Sequence, residues 1–448
     1  MKKILVLLLI VILPMASIAE PKSKAEDVIN LNIRHSINGG EFLPKETLSL
    51  STKKLKNNPS SLLKLIRNSL SNHLHTLPVQ IDTTLELSDK FPTISIKTKV
   101  DENSNGISDV TMPKYQIAND KILINWKNLS SHLTFTGNFI NLKADTSFNG
   151  IKITEKDKLL ISLDKLDVHS TFDAKFKPIK LSVNLPSFNA QEDKNKLNLQ
   201  SLMANFDIKK LASGLEIGNL AIQLRHIDFT ENDVKTGLKN LRLITDIQEQ
   251  DNVINFNLKT MVDKVNLPAD IATGLEDITQ TLDISLANLD TASLLALQNK
   301  FHSLQNNPMV MIIMLGELME VAPKLLAKSP EIQMHQLLLQ TSKGKLQGNL
   351  TIGLDGKKAK SLAVPVLLNS LYAEATVNIS KKLLKQAMIN QFQQSPNKTD
   401  AKVAAEEQIN SYLEKKVLVE VEDNYQLIAS FKDGKLIVNE QEMPLPLP

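Results

Sequence analysis

Four stretches of this chain share one spacing: two apolar residues at alternate positions, a two-residue gap where one residue is expected, then apolar residues again. They read Ile161-Ser-Leu163-Asp-Lys-Leu166-Asp-Val168, Leu197-Asn-Leu199-Gln-Ser-Leu202-Met-Ala204, Leu215-Glu-Ile217-Gly-Asn-Leu220-Ala-Ile222 and Ile332-Gln-Met334-His-Gln-Leu337-Leu-Leu339. Side chains on a strand alternate faces, so one extra residue turns the later apolar set toward water unless a β-bulge absorbs it. The repetition predicts extended strands with built-in bulges, and repeated bulges bend a sheet. Ile124-Asn-Trp126-Lys-Asn-Leu129 is a weaker copy, so the pattern describes related strands and not a strict solenoid.

Other segments alternate without interruption. Ile140, Leu142, Ala144, Thr146 and Phe148 are expected inward, with Asn141, Lys143, Asp145, Ser147 and Asn149 outward. Phe172, Ala174, Phe176 and Ile254, Phe256, Leu258 follow the same rule. Strands wet on one face suit antiparallel sheets, since parallel α/β strands are apolar on both. The expected fold class is therefore α+β and β-dominated: a long, curved antiparallel sheet with repeated β-bulges, covered by a few helices.

Helical spacing of Leu62, Leu63, Ile66, Leu70, Leu74 and Leu77 predicts a helix from Pro59, ended by Pro78. Asp290 caps a second, and Asn307-Pro308 opens a third running to about Lys328. Ser380 and Asp400 cap two more, separated by the polar linker Ser395 to Thr399. Val417 to Val421, Gln426 to Phe431 and Lys435 to Val438 read as a three-strand meander. The expected organisation is residues 1–19 as a signal peptide, 20–290 as a β-rich region with an N-terminal helix, 291–330 as a helical insertion, and 331–448 as strands with helices and the meander.

Met1 to Ala19 carries Lys2 and Lys3, the apolar run Ile4 to Leu13, Pro14 and the small-x-small site Ser17-Ile-Ala19. This reads as an export signal cut before Glu20; a retained inner-membrane anchor extended by Met15 to Ala19 is the other reading. Cysteine is absent, which excludes disulfides, thiolate catalysis and cysteine-bound zinc. Removing Lys2 and Lys3 leaves 50 basic against 49 acidic residues, a net charge of +1, so nothing steers the chain toward nucleic acid. With aromatics at 4%, an outer-membrane barrel would lack its interfacial girdles. A bacterial periplasm is the expected location.

The stretch from Leu224-Arg-His-Ile-Asp228 through Leu294-Leu-Ala-Leu-Gln298, Ser329-Pro-Glu-Ile-Gln-Met334, Leu337-Leu-Leu-Gln-Thr341 and Gly344 to Tyr425–Val438 and Asn439 resembles the YdgA-like bacterial family of unknown function. The resemblance implies a β-rich envelope protein of Gram-negative bacteria with no assigned activity. Relatives have a retained-looking N-terminal helix followed by aromatic and glycine residues, absent here, and glycine where this chain has Glu440.

Two patterns could carry chemistry. Asp101, Asn103, Asn105, Gly106 and Asp109 match positions 1, 3, 5, 6 and 9 of a calcium loop, with Met112 where a bidentate glutamate belongs. The competing reading is a hairpin turn at Asn105-Gly106. Ser61-Leu-Leu-Lys64, Ser187-Phe-Asn189 and Lys235-Thr-Gly237 occur in the order used by acyl-serine enzymes, but Ser-x-x-Lys recurs at Ser51 and Ser162, and Ser187 follows Pro186 at a strand end. His73 and His75 are two apart near a helix end, and His226 flanks a bulge. The expectation is a non-enzymatic scaffold or interaction module without resident cofactor. Its partners are envelope proteins, lipid or a second copy of the chain. A carrier holding an acyl chain on the apolar face is the alternative.

Overall fold

The computed structural model of the protein describes residues 28–51, 68, 73, 76–86, 92–119, 121–137, 140–156, 158–174, 177–268, 274–304, 309–393 and 400–444. The export segment, most of the helix expected from Pro59 with Ser61 and Lys64, Phe176, Asn307-Pro308 and the Ser395–Thr399 linker lie outside them. Strand makes up 61% of the described structure and helix 18%, and all strand pairs are antiparallel, so the fold is β-dominated α+β. The chain divides into two units, one ending at Asp207 and one beginning at Ile208, a boundary that the sequence pattern does not mark.

The first unit contains β1 (Val28–Ile37), β2 (Glu46–Ser51), β3 (Val79–Glu86), β4 (Ile94–Val100), β5 (Gly106–Met112), β6 (Tyr115–Ala118), β7 (Ile122–Trp126), β8 (Leu129–Thr136), β9 (Ile140–Phe148), β10 (Ile151–Glu155), β11 (Lys158–Leu163), β12 (Leu166–Phe172), β13 (Pro178–Glu192) and most of β14 (Asn195–Lys210). Pairing gives a main row β2-β1-β3-β4-β5-β8-β9-β12-β13-β14. A branch β6-β7-β10-β11 joins the far end of β13. The branch lies over the row: Ile124, Trp126, Ile151 and Leu163 share one buried core with Met112, Leu129, Phe148 and Leu166.

This layering changes the meaning of the recurrent spacing. In Ile161–Val168 and Ile124–Leu129 the two-residue gap is a corner, Asp164-Lys165 or Lys127-Asn128, where the chain leaves the branch and enters the row. The apolar phase is kept because the second strand belongs to another layer, not because a bulge absorbs the extra residue. The corners stack: Lys127 N donates to Gly150 O at 2.8 Å, and a Cβ on Gly150 would come within 2.3 Å of Leu163 O. Leu197–Ala204 does stay within one strand, where left-handed Ser201 (φ 53°) faces Pro186, a residue with no N–H to donate. In β9, Leu142, Ala144 and Phe148 are buried as expected, but Ile140 is 45% exposed, because Asn141 (φ 53°) breaks the pleat beside it.

The second unit holds β15 (Glu216–Glu231), β16 (Val234–Gln250), β17 (Val253–Asn266), β18 (Ile278–Asp290), α1 (Thr291–Ser303), α2 (Val310–Ala327), β19 (Glu331–Thr341), β20 (Gly344–Leu354), α3 (Val364–Ser370), β21 (Leu371–Ser380), α4 (Lys381–Gln393), α5 (Ala401–Glu414), β22 (Val419–Val421), β23 (Asn424–Lys432), β24 (Lys435–Val438) and β25 (Gln441–Met443). Strands β15 through β21 each pair with the next in sequence, and β21 then pairs with β23. Asn232-Asp233 and Asp251-Asn252, with φ positive at both residues, close two-residue hairpins whose twist suits the flanking strands.

Here the remaining two copies of the spacing are irregularities inside strands. His335 and Gln336 together face Asn349, a bulge of two residues against one. At Gly218-Asn219 the ladder with β16 gives way to side chains: Leu220 N donates to Thr245 Oγ1 at 2.8 Å and Ile247 N to Asn219 Oδ1 at 3.1 Å. Asp290 ends β18 and caps α1, its Oδ2 accepting from Ser293 N at 2.9 Å and Ser293 Oγ at 2.7 Å.

Candidate functional site

Directly opposed residues on paired strands project to the same face, so the register shows what each face of the second unit's sheet carries. One row runs Thr245, Leu258, Ile284, Met334, Leu350, Ala375, Ala429 across β16 to β23. The next runs Leu243, Thr260, Leu282, Leu337, Gly348, Val377, Leu427. The opposite face is mostly polar, with Arg242, Asp246 and Gln248 on β16, Asn257 and Lys259 on β17, Asp283 on β18, and Asn378, Thr376 and Glu374 on β21, although Ile244 and Ile428 also lie on it. The bulge at His335-Gln336 keeps the apolar rows continuous; an unbroken β19 would put either Met334 or Leu337 on the polar face.

Helices cover the two ends of this apolar face. Leu294 and Leu295 of α1 pack with Ile247, Ile254 and Leu289 beyond one row. Leu383, Met388 and Ile389 of α4 and Ala405 and Ile409 of α5 pack on Ile379, Tyr425 and Leu346 beyond the other. Every residue of the two rows between them is only half-buried. The result is an apolar strip seven strands long, about 29 Å at roughly 4.8 Å per strand.

Two groups of paired titratable side chains lie elsewhere in the second unit. His226 Nε2 lies 2.5 Å from Asp228 Oδ2, with Lys235 Nζ at 3.3 Å. Burial alone would raise the Asp228 carboxyl's pKa, yet the bonds and charges of His226 and Lys235 outweigh it and hold the group below its usual value. Asp228 Oδ1 has no hydrogen-bond partner and lies against Gly237, where a Cβ would approach it to 2.5 Å. Tyr372, on the polar face, is pushed up to about 12 by burial and then by Glu331, whose Oε2 accepts its hydroxyl at 2.5 Å. Apart from Asp228 Oδ1, the polar atoms named in these groups are paired with one another.

The sequence-derived candidates are placed as follows. Asp101, Asn103 and Asn105 share the turn between β4 and β5. Asp101 Oδ1 accepts from Asn103 N at 2.9 Å and Asn105 N at 2.7 Å, and Oδ2 accepts from Asn105 Nδ2 at 3.2 Å. The Asn105 backbone bond, against a small desolvation effect, holds the Asp101 carboxyl below its ordinary value. Asp109 is on β5, 2.7 Å from His132 Nδ1 on β8. Among the described residues no group of three or more His, Asp or Glu side chains could hold a metal ion. The turn's left-handed residue is Ser104 (φ 63°), not Asn105-Gly106; Gly106 instead starts β5, where a Cβ would meet the Phe135 ring at 2.1 Å. Ser187 donates to Asp164 Oδ2 at 2.6 Å, Asn189 pairs with Ser162 and Asn198, Lys235 is bound to Asp228, and Ser61 and Lys64 lie outside the described residues. His73 sits with its ring 4.9 Å from that of the buried His35.

A shallow cavity of about 360 Å³ in the first unit is lined by Thr93, Ser95, Thr111, Met112, Leu129 and Ser130 among others, none titratable. An apolar face on the sheet is expected from the alternation of its strands; which residues line the strip is not. The alternation of Ile254, Phe256 and Leu258 was the visible signal, but the partners of each residue depend on a register that spacing does not encode.

Comparison with protein families matches residues 70–446 to "Bacterial protein of unknown function (DUF945)". No curated protein and no solved structure matches the chain. Among the described residues no helix is long and apolar enough to cross a membrane.

Proposed function

We propose, from the premise that the chain belongs to the bacterial family of unknown function DUF945, a non-enzymatic role in which the second unit holds a lipid acyl chain along its apolar strip. The observation that carries this reading is the pair of half-buried, mostly apolar rows left between α1 at one end and α4 and α5 at the other. Core rows in a sheet this broad are ordinarily closed by a second layer. The strip's length of about 29 Å is close to the ~30 Å of a bilayer's hydrocarbon core, roughly twice the reach of one leaflet's chain.

If roughly 400 Å² of apolar surface leaves water on binding, the gross gain at about 25 cal/mol per Å² is about 10 kcal/mol. An association cost of at least about 4 kcal/mol leaves at most about 6, a dissociation constant of tens of micromolar or weaker. The chain would work in the periplasm, delivered by Met1 to Ala19, and would be a YdgA-like member of its family. N-terminal sequencing of the mature protein tests the first point, with Glu20 as the expected first residue. Lipid extraction and mass spectrometry of protein purified from membranes, followed by titration of the delipidated protein with a fluorescent sixteen-carbon fatty acid, tests the binding. A stoichiometric co-purifying lipid and saturable binding are expected. No bound lipid together with no saturable binding refutes the proposal. An interaction-module role finds its support elsewhere, on the outer face of α2.

A further inference from the structure

Helix α2 shows its apolar side to solvent. Met311, Ile312, Leu315 and Met319 are 78, 66, 62 and 56% exposed, and Met309 and Leu318 are 55 and 42% exposed. At 100° per residue these fall within one half of the helix surface, while the helix's one fully buried residue, Val321, points the other way. Taking about 200 Å² for each large apolar residue, the exposed fractions amount to roughly 700 Å². That exceeds the roughly 300–600 Å² of the largest apolar patch on a typical monomer and approaches the roughly 800 Å² that each partner contributes to a standard interface.

Two further features say what fits there. Gly316 lies on the same half of the helix, between Ile312 and Met319 and mid-way along the exposed stripe, and a Cβ on it would have nothing within 4 Å. Glycine in a helix interior costs roughly 0.5–1 kcal/mol relative to alanine, and no packing among the described residues calls for it here. A small residue at the middle of an apolar helix face lets a second helix cross closely at that point. The charges are also one-sided. From Val310 to Gly316 there are none, whereas Glu317, Glu320 and Lys324 occupy the second half. Glu317 is taken up by Lys300 of α1 at 3.2 Å, and Glu320 is exposed.

We infer that this face binds a second copy of the chain, the two α2 helices crossing antiparallel about a two-fold axis at Gly316. In that arrangement a residue n places after Gly316 meets one n places before it in the other copy. Each Glu320 then lies beside the uncharged end of the opposite helix, whereas parallel crossing would set the two Glu320 carboxylates against each other. The acidic second half, with its first cation at Lys324, favours a second copy over an anionic bilayer surface.

The test uses the full mature chain, which contains no cysteine. Sedimentation at tens of micromolar is expected to show a dimer, and Leu315→Glu to give a monomer with unchanged circular dichroism and melting temperature, since residue 315 is exposed. Under mild oxidation Gly316→Cys is expected to crosslink to its mate. Lys328→Cys is expected not to: at 1.5 Å per residue its mates lie about 36 Å apart in the antiparallel crossing. A monomeric wild type, a dimer untouched by Leu315→Glu, or crosslinking at 328 overturns the inference. So does a monomer that floats with vesicles of phosphatidylethanolamine and phosphatidylglycerol and loses that binding on Leu315→Glu, which would assign the face to lipid.

Discussion

Replacing Gly106 by alanine separates two explanations of one glycine. The backbone at 106 is not left-handed, so alanine is conformationally acceptable and, through the unfolded chain, would stabilise by about 0.4–1 kcal/mol if space allowed. Space does not allow it: the added Cβ would lie 2.1, 2.3 and 2.8 Å from three carbons of the Phe135 ring. That ring is 3% exposed and held in a core with Val79, Ile81, Val100, Leu142, Ala144 and Phe172, so it has nowhere to retreat. Overpacking of this kind costs about 1–3 kcal/mol, and the near-complete overlap puts Gly106→Ala toward the upper end, about 2–3 kcal/mol net.

Phe135→Leu removes the ring atoms responsible and costs about 1–2 kcal/mol for lost packing. In that background Gly106→Ala should be neutral or stabilising by up to about 0.5 kcal/mol, a coupling of about 2–3 kcal/mol. Urea unfolding of the four proteins, read as midpoint shifts at constant slope, measures the cycle. Additive effects, or a wild-type-like Gly106→Ala, would refute the packing argument and return Gly106 to the service of the turn.

Leu337→Asp, in the middle of the strip, should weaken fatty-acid binding at least about tenfold, about 1.4 kcal/mol, while Lys259→Ala on the polar face should leave it unchanged; equal effects would detach binding from the strip. His35 is held neutral by burial, then by the neighbouring His73, with Glu46 acting oppositely, so its folded pKa lies below the unfolded value near 6.5. The stability this gives is present above pH 6.5 and declines as pH falls through that value toward the folded pKa. His35→Gln should therefore flatten the loss of stability between pH 8 and pH 5, by at most about 1.4 kcal/mol per pH unit within the window; an unchanged slope refutes it. Millimolar calcium should not shift the melting temperature by more than a degree, because both Asp101 oxygens are committed to Asn103 and Asn105; a saturable shift abolished by Asp101→Asn would show otherwise.

Local chemistry was the legible part. Asp290 and Asp400 cap the helices their spacing announces, and Asp433-Gly434 closes the hairpin between β23 and β24. The runs at Ile140–Phe148 and at Ile254, Phe256 and Leu258 became strands because their apolar faces could be buried no other way, whereas the run from Phe172 stops at once: β12 ends at Phe172 and Ala174 lies in a turn. What spacing could not separate was a bulge from a corner: Asp164-Lys165 and His335-Gln336 occupy the same offset, yet one changes layer and the other stays in line. That choice depends on Gly150 admitting the Leu163 carbonyl, a contact between residues thirteen apart. The short helix Val364–Ser370 gave no periodic signal over its seven residues. The lining of the strip, unlike the existence of an apolar face, was hidden for the same reason as the corners, since Leu282 and Leu337 become neighbours through pairing across α1 and α2.

In the second unit each long strand from β15 to β21 borders the strand next to it in sequence, joined at several places by two-residue hairpins. Such an array is extendable: duplicating one hairpin would add two strands, and so about 10 Å, without re-threading any other part. The reach of the greasy surface is thus set by how many times the chain doubles back. Gain or loss of whole zigzags would lengthen or shorten that surface while leaving the capping helices at either margin untouched.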